Sequence, residues 1–311
     1  MVVVGAGIVG LATAAALGRS RPDVAGTVIA RAAGPARHQS GRNSGVVPSG
    51  VYYPPGSHKA RLVARGRDLL EGYCAAREIR LERCGKVIVA TTTDEVGRLA
   101  ALAARATAAD VPTRVLDRRA LAEREPWVRA VAALEVPSTG VCDFPAVCRA
   151  LLDDVLARGG AVHWSAPALH LHEGPGSVVV RTPALELTAD AAVVCAGVHG
   201  DRVAAALGLD TGVRMLPFRG EYHVLRASAD HLVRHLVYPL PDPTFPFLGV
   251  HLTRGVDGGV HVGPNAVPAL GREAYRWRDL PGPGTWGIAQ RRGTPRPARP
   301  ASDWSSSGPP R

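Results

Sequence analysis

Three glycines at positions 5, 7 and 10, placed directly after a run of valines, constrain this chain more than any other feature. Val2-Val3-Val4 reads as a short strand, Gly5-Ala6-Gly7-Ile8-Val9-Gly10 as a tight turn, and the Ala/Leu-rich stretch to Leu17 as a helix. A Pro22-Asp23 turn then leads to a second strand around Thr27 to Ile29. A β-turn-helix-β context is what makes G-x-G-x-x-G informative about dinucleotide binding. Gly5 allows the turn, Gly7 lets backbone approach a pyrophosphate, and Gly10 lets the helix pack on the strand. The helix N-terminus adds free N–H groups and a positive dipole end. Taken alone, the same motif also describes a tight strand–helix turn with no ligand.

Composition narrows the remaining classes. A chain of 311 residues with 46% hydrophobic and 21% charged residues is globular, with room for a sizeable core in one large domain or two interlocked ones. The net charge of +10 raises nucleic-acid binding, but the basic residues are spread out and almost all arginine, Lys59 and Lys86 being the only lysines. No basic stripe with interleaved aromatics appears, so no nucleic-acid partner is expected. The stretch from Met1 to Leu17 lacks a charged leader and is cut by glycines, so it reads as part of the fold and not as a signal or anchor. Cys74, Cys84, Cys142, Cys148 and Cys195 form no C-x-x-C pair, which fits buried thiols in a reducing cytoplasm; no metal site is expected.

Farther along, Gly34 to Ser57 is too long and turn-rich for a plain connector and reads as a functional loop. Helices are predicted over about Lys59 to Arg77, Asp94 to Ala109, Arg118 to Arg124 and Ala146 to Arg158. Strands are predicted over Lys86 to Ala90, Val178 to Arg181, Ala191 to Cys195, Glu221 to Leu225, Phe247 to Leu252 and Gly259 to Val262. This order predicts an α/β (α+β) chain, a Rossmann-like nucleotide domain interleaved with a mixed/antiparallel-sheet substrate domain. The expected division is 1–80 and 141–215 for the former, and 81–140 and 216–280 for the latter. Residues 281–311 carry seven Pro and five Gly without apolar periodicity and read as a disordered Pro/Arg-rich tail.

The long loop is specific. His38-Gln39-Ser40-Gly41-Arg42-Asn43-Ser44-Gly45 and Gly50-Val51-Tyr52-Tyr53-Pro54-Pro55-Gly56-Ser57 resemble the signature of the FAD-dependent L-2-hydroxyglutarate oxidases and dehydrogenases, within the D-amino-acid-oxidase-like flavoproteins. The resemblance continues through Cys84-Gly85-Lys86, Cys195-Ala196-Gly197, Pro217-Phe218-Arg219-Gly220-Glu221-Tyr222, Tyr238-Pro239, Pro246 to Thr253 and Gly263-Pro264-Asn265-Ala266. It implies FAD as cofactor, with its ADP half on Gly5, Gly7 and Gly10, and Asn43, Ser44 and Gly45 near the flavin. Ala196 and Gly197 would give a second close backbone approach.

It also implies oxidation of a small 2-hydroxy acid, L-2-hydroxyglutarate, to 2-oxoglutarate by hydride transfer to flavin N5. Electrons would pass on to oxygen or to a membrane quinone. The location expected is the cytoplasm, with peripheral contact at the inner face of the membrane in the quinone case. His251 is the candidate base, its near-neutral intrinsic pKa suiting proton abstraction. Arg219 is the candidate clamp for substrate carboxylates, which match a guanidinium fork. Tyr222 is a candidate hydrogen-bond donor to substrate. The competing readings are a core histidine, a surface cation and a strand-packing aromatic.

Two departures from the family stand out. An acid that binds the ribose is expected about 20 residues past the last glycine; Ala30 and Arg31 stand there, which predicts weakened FAD binding. Arg31 instead could favour the 2′-phosphate of NADP, a reading that leaves the flavin loop without purpose. The family also continues beyond the point where this sequence turns to Pro and Arg. That predicts a chain less active than longer relatives and prone to aggregate. A sister flavoenzyme acting on an amino acid or another 2-hydroxy acid, and an inactive fragment, are the alternatives.

Overall fold

In the computed structural model, residues 1–244, 247–276 and 279 are described; the tail expected to be disordered lies outside them. β1 (Val2–Val4) runs into α1 (Ile8–Ser20) and then β2 (Thr27–Ile29), as the glycine motif predicts. β1 lies between β2 and the strand Ala192–Val194, both parallel to it, and Ala161–His163 adds a fourth parallel strand beside β2. Val3 faces a cluster with Leu11, Ala15, Val28, Val147 and Leu151, while Val2 and Val4 face Ile29 and Val180. A strand buried on both faces must be apolar throughout, hence the unbroken valine run.

The larger sheet has seven strands, in the order 223–224, 260–263, 251–254, 236–239, 86–90, 132–136, 114–117. Only the pairing of Leu236–Pro239 with Lys86–Ala90 is parallel; its other neighbours are antiparallel. Between them in sequence come α2 (His58–Ala76), α3 (Val96–Ala108), α4 (Arg118–Arg124) and α5 (Phe144–Ala157). Three begin at side-chain caps: Ser57, Asp117 and Asp143 accept from the amides of Ala60, Ala120 and Ala146. α3 buries Leu99, Leu102 and Ala106 against the sheet, one face at helical spacing. α6 (Gly200–Ala206) follows the Cys195-Ala196-Gly197 turn. Among the described residues no helix is long and apolar enough to cross a membrane.

The strands differ from expectation in several places, Leu236–Pro239 and Ala161–His163 among those not predicted. The strand predicted from Phe247 begins only at His251; among the described residues no strand pairs with 247–250, and Phe247, Leu248 and Val250 stay exposed, Phe247 resting its ring on Phe218. The strand Ala132–Val136, between Lys86–Ala90 and the edge strand Arg114–Asp117, has no counterpart among the predicted strands. Its Glu135 breaks the apolar run, and is accommodated by Arg114 and Arg124.

Glu125 fastens the parallel pairing. It is fully buried and accepts hydrogen bonds from the amide of Arg234 at 3.1 Å, the amide of His235, and Nδ1 of His235 at 2.8 Å. These donors lie immediately before Leu236–Pro239, so the carboxylate fixes where that strand starts. Removing it leaves part-buried donors without their acceptor. Glu125→Ala should lower the unfolding free energy by about 3 kcal/mol, measurable as a reduced urea midpoint; an unchanged midpoint would show that water replaces the carboxylate.

Candidate functional site

Three neighbouring parallel strands, β2, β1 and Ala192–Val194, end on the same side, and there the protein opens a cavity of about 830 Å³, within the size range of cofactor sites. Its walls are the turn after β1, the end of β2 with Arg31, the loop from Arg37 to Ser44, the turn after Val194, and Glu273. Gly5 has a φ of +116°, and a Cβ there would collide with the carbonyl of Cys195. A Cβ at Gly10 would fall on the carbonyl of Gly5. Gly7 is the N-cap of α1 and has no side-chain cap; a Cβ on it would come within 3.2 Å of Ser40 Oγ. Ser40 Oγ accepts from the amide of Ile8 at 2.9 Å. The following first-turn amides are unsatisfied by helix geometry and remain free for an anion. The residues therefore fit a diphosphate: bare backbone, a helix N-terminus and an open cavity in front of it.

Gly5, Gly7, Gly10, Arg31, Asn43, Ser44, Ala196 and Gly197 all line this cavity; Gly45 stands just outside it. Asn43 has a structural task as well: its Nδ2 donates to the carbonyls of Gln39 and Ser40, and its Oδ1 accepts from the amide of Gly45 at 2.8 Å. Gly45, at φ +72°, is the residue such a turn needs. Arg31 is not a free cation. It pairs with Glu273 and lies 3.0 Å from Nε2 of His199. Burial, followed by the charges of Arg31, Arg272 and Arg202, pushes the imidazole of His199 down to about 4.

His251, Arg219 and Tyr222 do not line that cavity. His251 is buried in strand 251–254 and stacks on Tyr238, ring centroids 3.8 Å apart. Its Nδ1 lies 2.8 Å from the carbonyl of Gly249 and donates to it in the neutral ring, so the free lone pair is on Nε2. Burial, and secondarily the charge of Lys86, push this imidazole down, against the Gly249 bond. Register pairs His251 with Gly263, and a Cβ on Gly263 would meet the Tyr222 ring at 2.9 Å, so the two candidates share one neighbourhood. Burial pushes the Tyr222 phenol up, keeping it a donor. Arg219 is already engaged: Nη2 donates to Glu221 Oε1 at 2.8 Å and Nη1 to the carbonyl of Arg276 at 3.3 Å.

Sequence reasoning passed over Lys86. Its ammonium is buried 4.8 Å from the Tyr52 ring and 4.5 Å from that of Tyr238, and burial pushes it down to about 8. A lone cation inside an apolar strand, and one of two lysines in the chain, was the available signal.

A parallel sheet with a glycine-turn cradle, interleaved with a mixed sheet that carries buried His251 and Tyr238, defines a dinucleotide-binding class of α/β protein. The FAD dependent oxidoreductase (DAO) family matches residues 1–298, and the chain belongs to that family, whose cofactor is FAD. L-2-hydroxyglutarate dehydrogenase of Escherichia coli (strain K12) is 41% identical over 280 residues, covering 90% of this chain and 66% of the relative. The mitochondrial L-2-hydroxyglutarate dehydrogenase of Homo sapiens is 38% identical, covering 89% of this chain and 62% of the relative. The chain thus spans about two thirds of the length of these relatives. In fold it is similar to glycine oxidase from Geobacillus kaustophilus, with a TM-score of 0.75 at 20% identity over 86% of this chain and 71% of that one. The FAD-bound L-alpha-glycerophosphate oxidase from Mycoplasma pneumoniae gives 0.75 at 22%, over 89% and 74%.

Gly10→Ala should abolish stoichiometric flavin, because the added carbon must displace the Gly5 carbonyl. Gly97→Ala, on an open face of α3 with nothing within 4 Å of the added carbon, should leave flavin content unchanged. Flavin per protein after gel filtration measures both, and retained flavin in Gly10→Ala would place the diphosphate elsewhere.

Proposed function

We propose that this chain belongs to an FAD-dependent enzyme that oxidises L-2-hydroxyglutarate to 2-oxoglutarate. The observation that supports the substrate is the 41% identity to the Escherichia coli dehydrogenase over 90% of the chain. Gly5, Gly7 and Gly10, with the first turn of α1, hold the diphosphate of FAD, and the Asn43–Gly45 turn lies toward the flavin. Bound FAD supplies a hydride acceptor for the C2 hydrogen.

The proton is left to the protein. His251 accepts it from the C2 hydroxyl on Nε2, the ring held by the Gly249 carbonyl and the Tyr238 face. Tyr222 donates a hydrogen bond to substrate, and Arg219 binds a carboxylate, exchanging its contact with Glu221 for one with substrate. The electrons end on oxygen or on a membrane quinone, told apart by oxygen uptake against reduction of a soluble quinone.

The direct test is anaerobic: L-2-hydroxyglutarate should bleach the flavin, while the D-enantiomer, glycine and sarcosine should not. Bleaching by an amino acid instead would move the chain to a sister activity.

His251→Asn should lower kcat about 10²–10⁴-fold with the flavin spectrum unchanged. A base must be neutral to act, so kcat/KM rises with pH through its pKa. That pKa is depressed, so the acid limb should fall below the ordinary imidazole value of 6.5, and Lys86→Met should move it upward by removing a nearby positive charge. A limb unmoved by both variants would remove His251 from proton transfer.

Arg219→Lys keeps the charge and loses the fork. It should raise KM at least several-fold while flavin content stays constant; equal kinetics would take Arg219 out of the substrate site.

A further inference from the structure

The acid missing from the end of β2 has a counterpart far away in sequence. Among the described residues lining the 830 Å³ cavity, Glu273 is the single carboxylate. It meets Arg31, one residue past Ala30, and its Oε1 lies 3.1 Å from Nε2 of His199, which follows the Ala196-Gly197 turn. It therefore stands between the ends of β2 and of strand 192–194, on the side where an adenosine ribose would lie. Its backbone is held in place. The neighbouring Arg272 grips Asp201 at the start of α6 through its two terminal nitrogens, Nη1 and Nη2, and Nη1 also donates to the carbonyl of Val198 at 2.6 Å. On the other flank, Arg42 covers the Tyr275 ring at 4.2 Å, and the Tyr275 hydroxyl lies 3.4 Å from Nδ1 of His38.

The pairing with Arg31 offsets the charge of a carboxylate in a cavity built for a diphosphate, which leaves it able to serve a second use there. At the ribose it has one, since vicinal hydroxyls are donors and need an acceptor. The contacts with Arg31 and His199 run through Oε1, and a carboxylate offers about four acceptor positions over two oxygens. We propose that Glu273 takes the place of the absent strand-end acid and accepts hydrogen bonds from the adenosine ribose hydroxyls of FAD, with Arg31 and His199 orienting it. Arg31, already paired with Glu273, is then a support for the ribose acceptor and not a receptor for a 2′-phosphate. The inference rests on the family's cofactor and is independent of the substrate proposed above.

The test uses the full chain loaded with FAD and no substrate. Flavin release, followed by its fluorescence, is titrated with ADP and with 2′,3′-dideoxy-ADP. The parent should prefer ADP about tenfold, the size of a charge-assisted hydrogen bond. Glu273→Ala should erase that preference while changing the dideoxy affinity little, and Glu273→Gln should retain part of it. A loss of structure weakens both nucleotides alike and preserves their ratio, so a retained ratio in Glu273→Ala overturns the proposal. So does a parent that does not distinguish the two nucleotides. If ADP displaces no flavin at all, the nucleotide site and this proposal fail together, whereas failure to oxidise L-2-hydroxyglutarate would leave both standing.

Discussion

The carbonyl oxygen of Gly5 lies where a Cβ of Gly10 would be, and the carbonyl of Cys195 where a Cβ of Gly5 would be. Three backbone segments thus meet with no side chain between them: the end of β1, the start of α1 and the turn after the neighbouring strand. That closeness lets α1 lie directly over the parallel sheet and points its N-terminus into the cavity. The amide of Gly5 is held by the carbonyl of Ile29, and the amide of Cys195 by that of Val4. The turns are therefore fixed by the strands they leave, and a cofactor finds its cradle already formed.

The second sheet works by burial of charge. Glu125, Glu135 and Lys86 are each under a tenth exposed, at positions where apolar residues would fill the same volume. Glu125 has three donors and Glu135 has two arginines. Lys86 has aromatic faces instead, and the hydroxyl of Tyr52 beside it has no hydrogen-bond partner among the described residues. Buried polar groups without full partners concentrate where a protein does chemistry. In this chain the charge of Lys86 reaches His251, and both stand on strands of the packed core.

The segment from Gly271 to Arg276 joins the two flanks of the cavity. Arg272 ties it to α6, and Tyr275 ties it to the loop at His38 and Arg42. Charge on this rim is mostly positive, from Arg31, Arg37 and Arg202, which suits a diphosphate; Glu273 tempers it at one point.

By itself the sequence determined what is local. The valine run, the glycine spacing, the helix caps at Ser57, Asp117 and Asp143, and the Asn43-Ser44-Gly45 turn act through neighbours a few residues away, so their pattern survives in one dimension. Most of the cavity wall was legible for that reason, and the resemblance of the loop strings added the flavin. The tertiary structure decided what depends on contacts distant along the chain. Glu273 reaches Arg31 across more than two hundred residues, and no period or motif announces it. Strand Ala132–Val136 forms because two other strands flank it, while Phe247–Val250, with a better strand composition, has no paired strand among the described residues. Arg219 read as a candidate clamp for carboxylates, and folding set it on the carboxylate of Glu221. A side chain's type is written in the sequence; whether it meets an ion, a ring or open space is fixed only when the chain closes on itself.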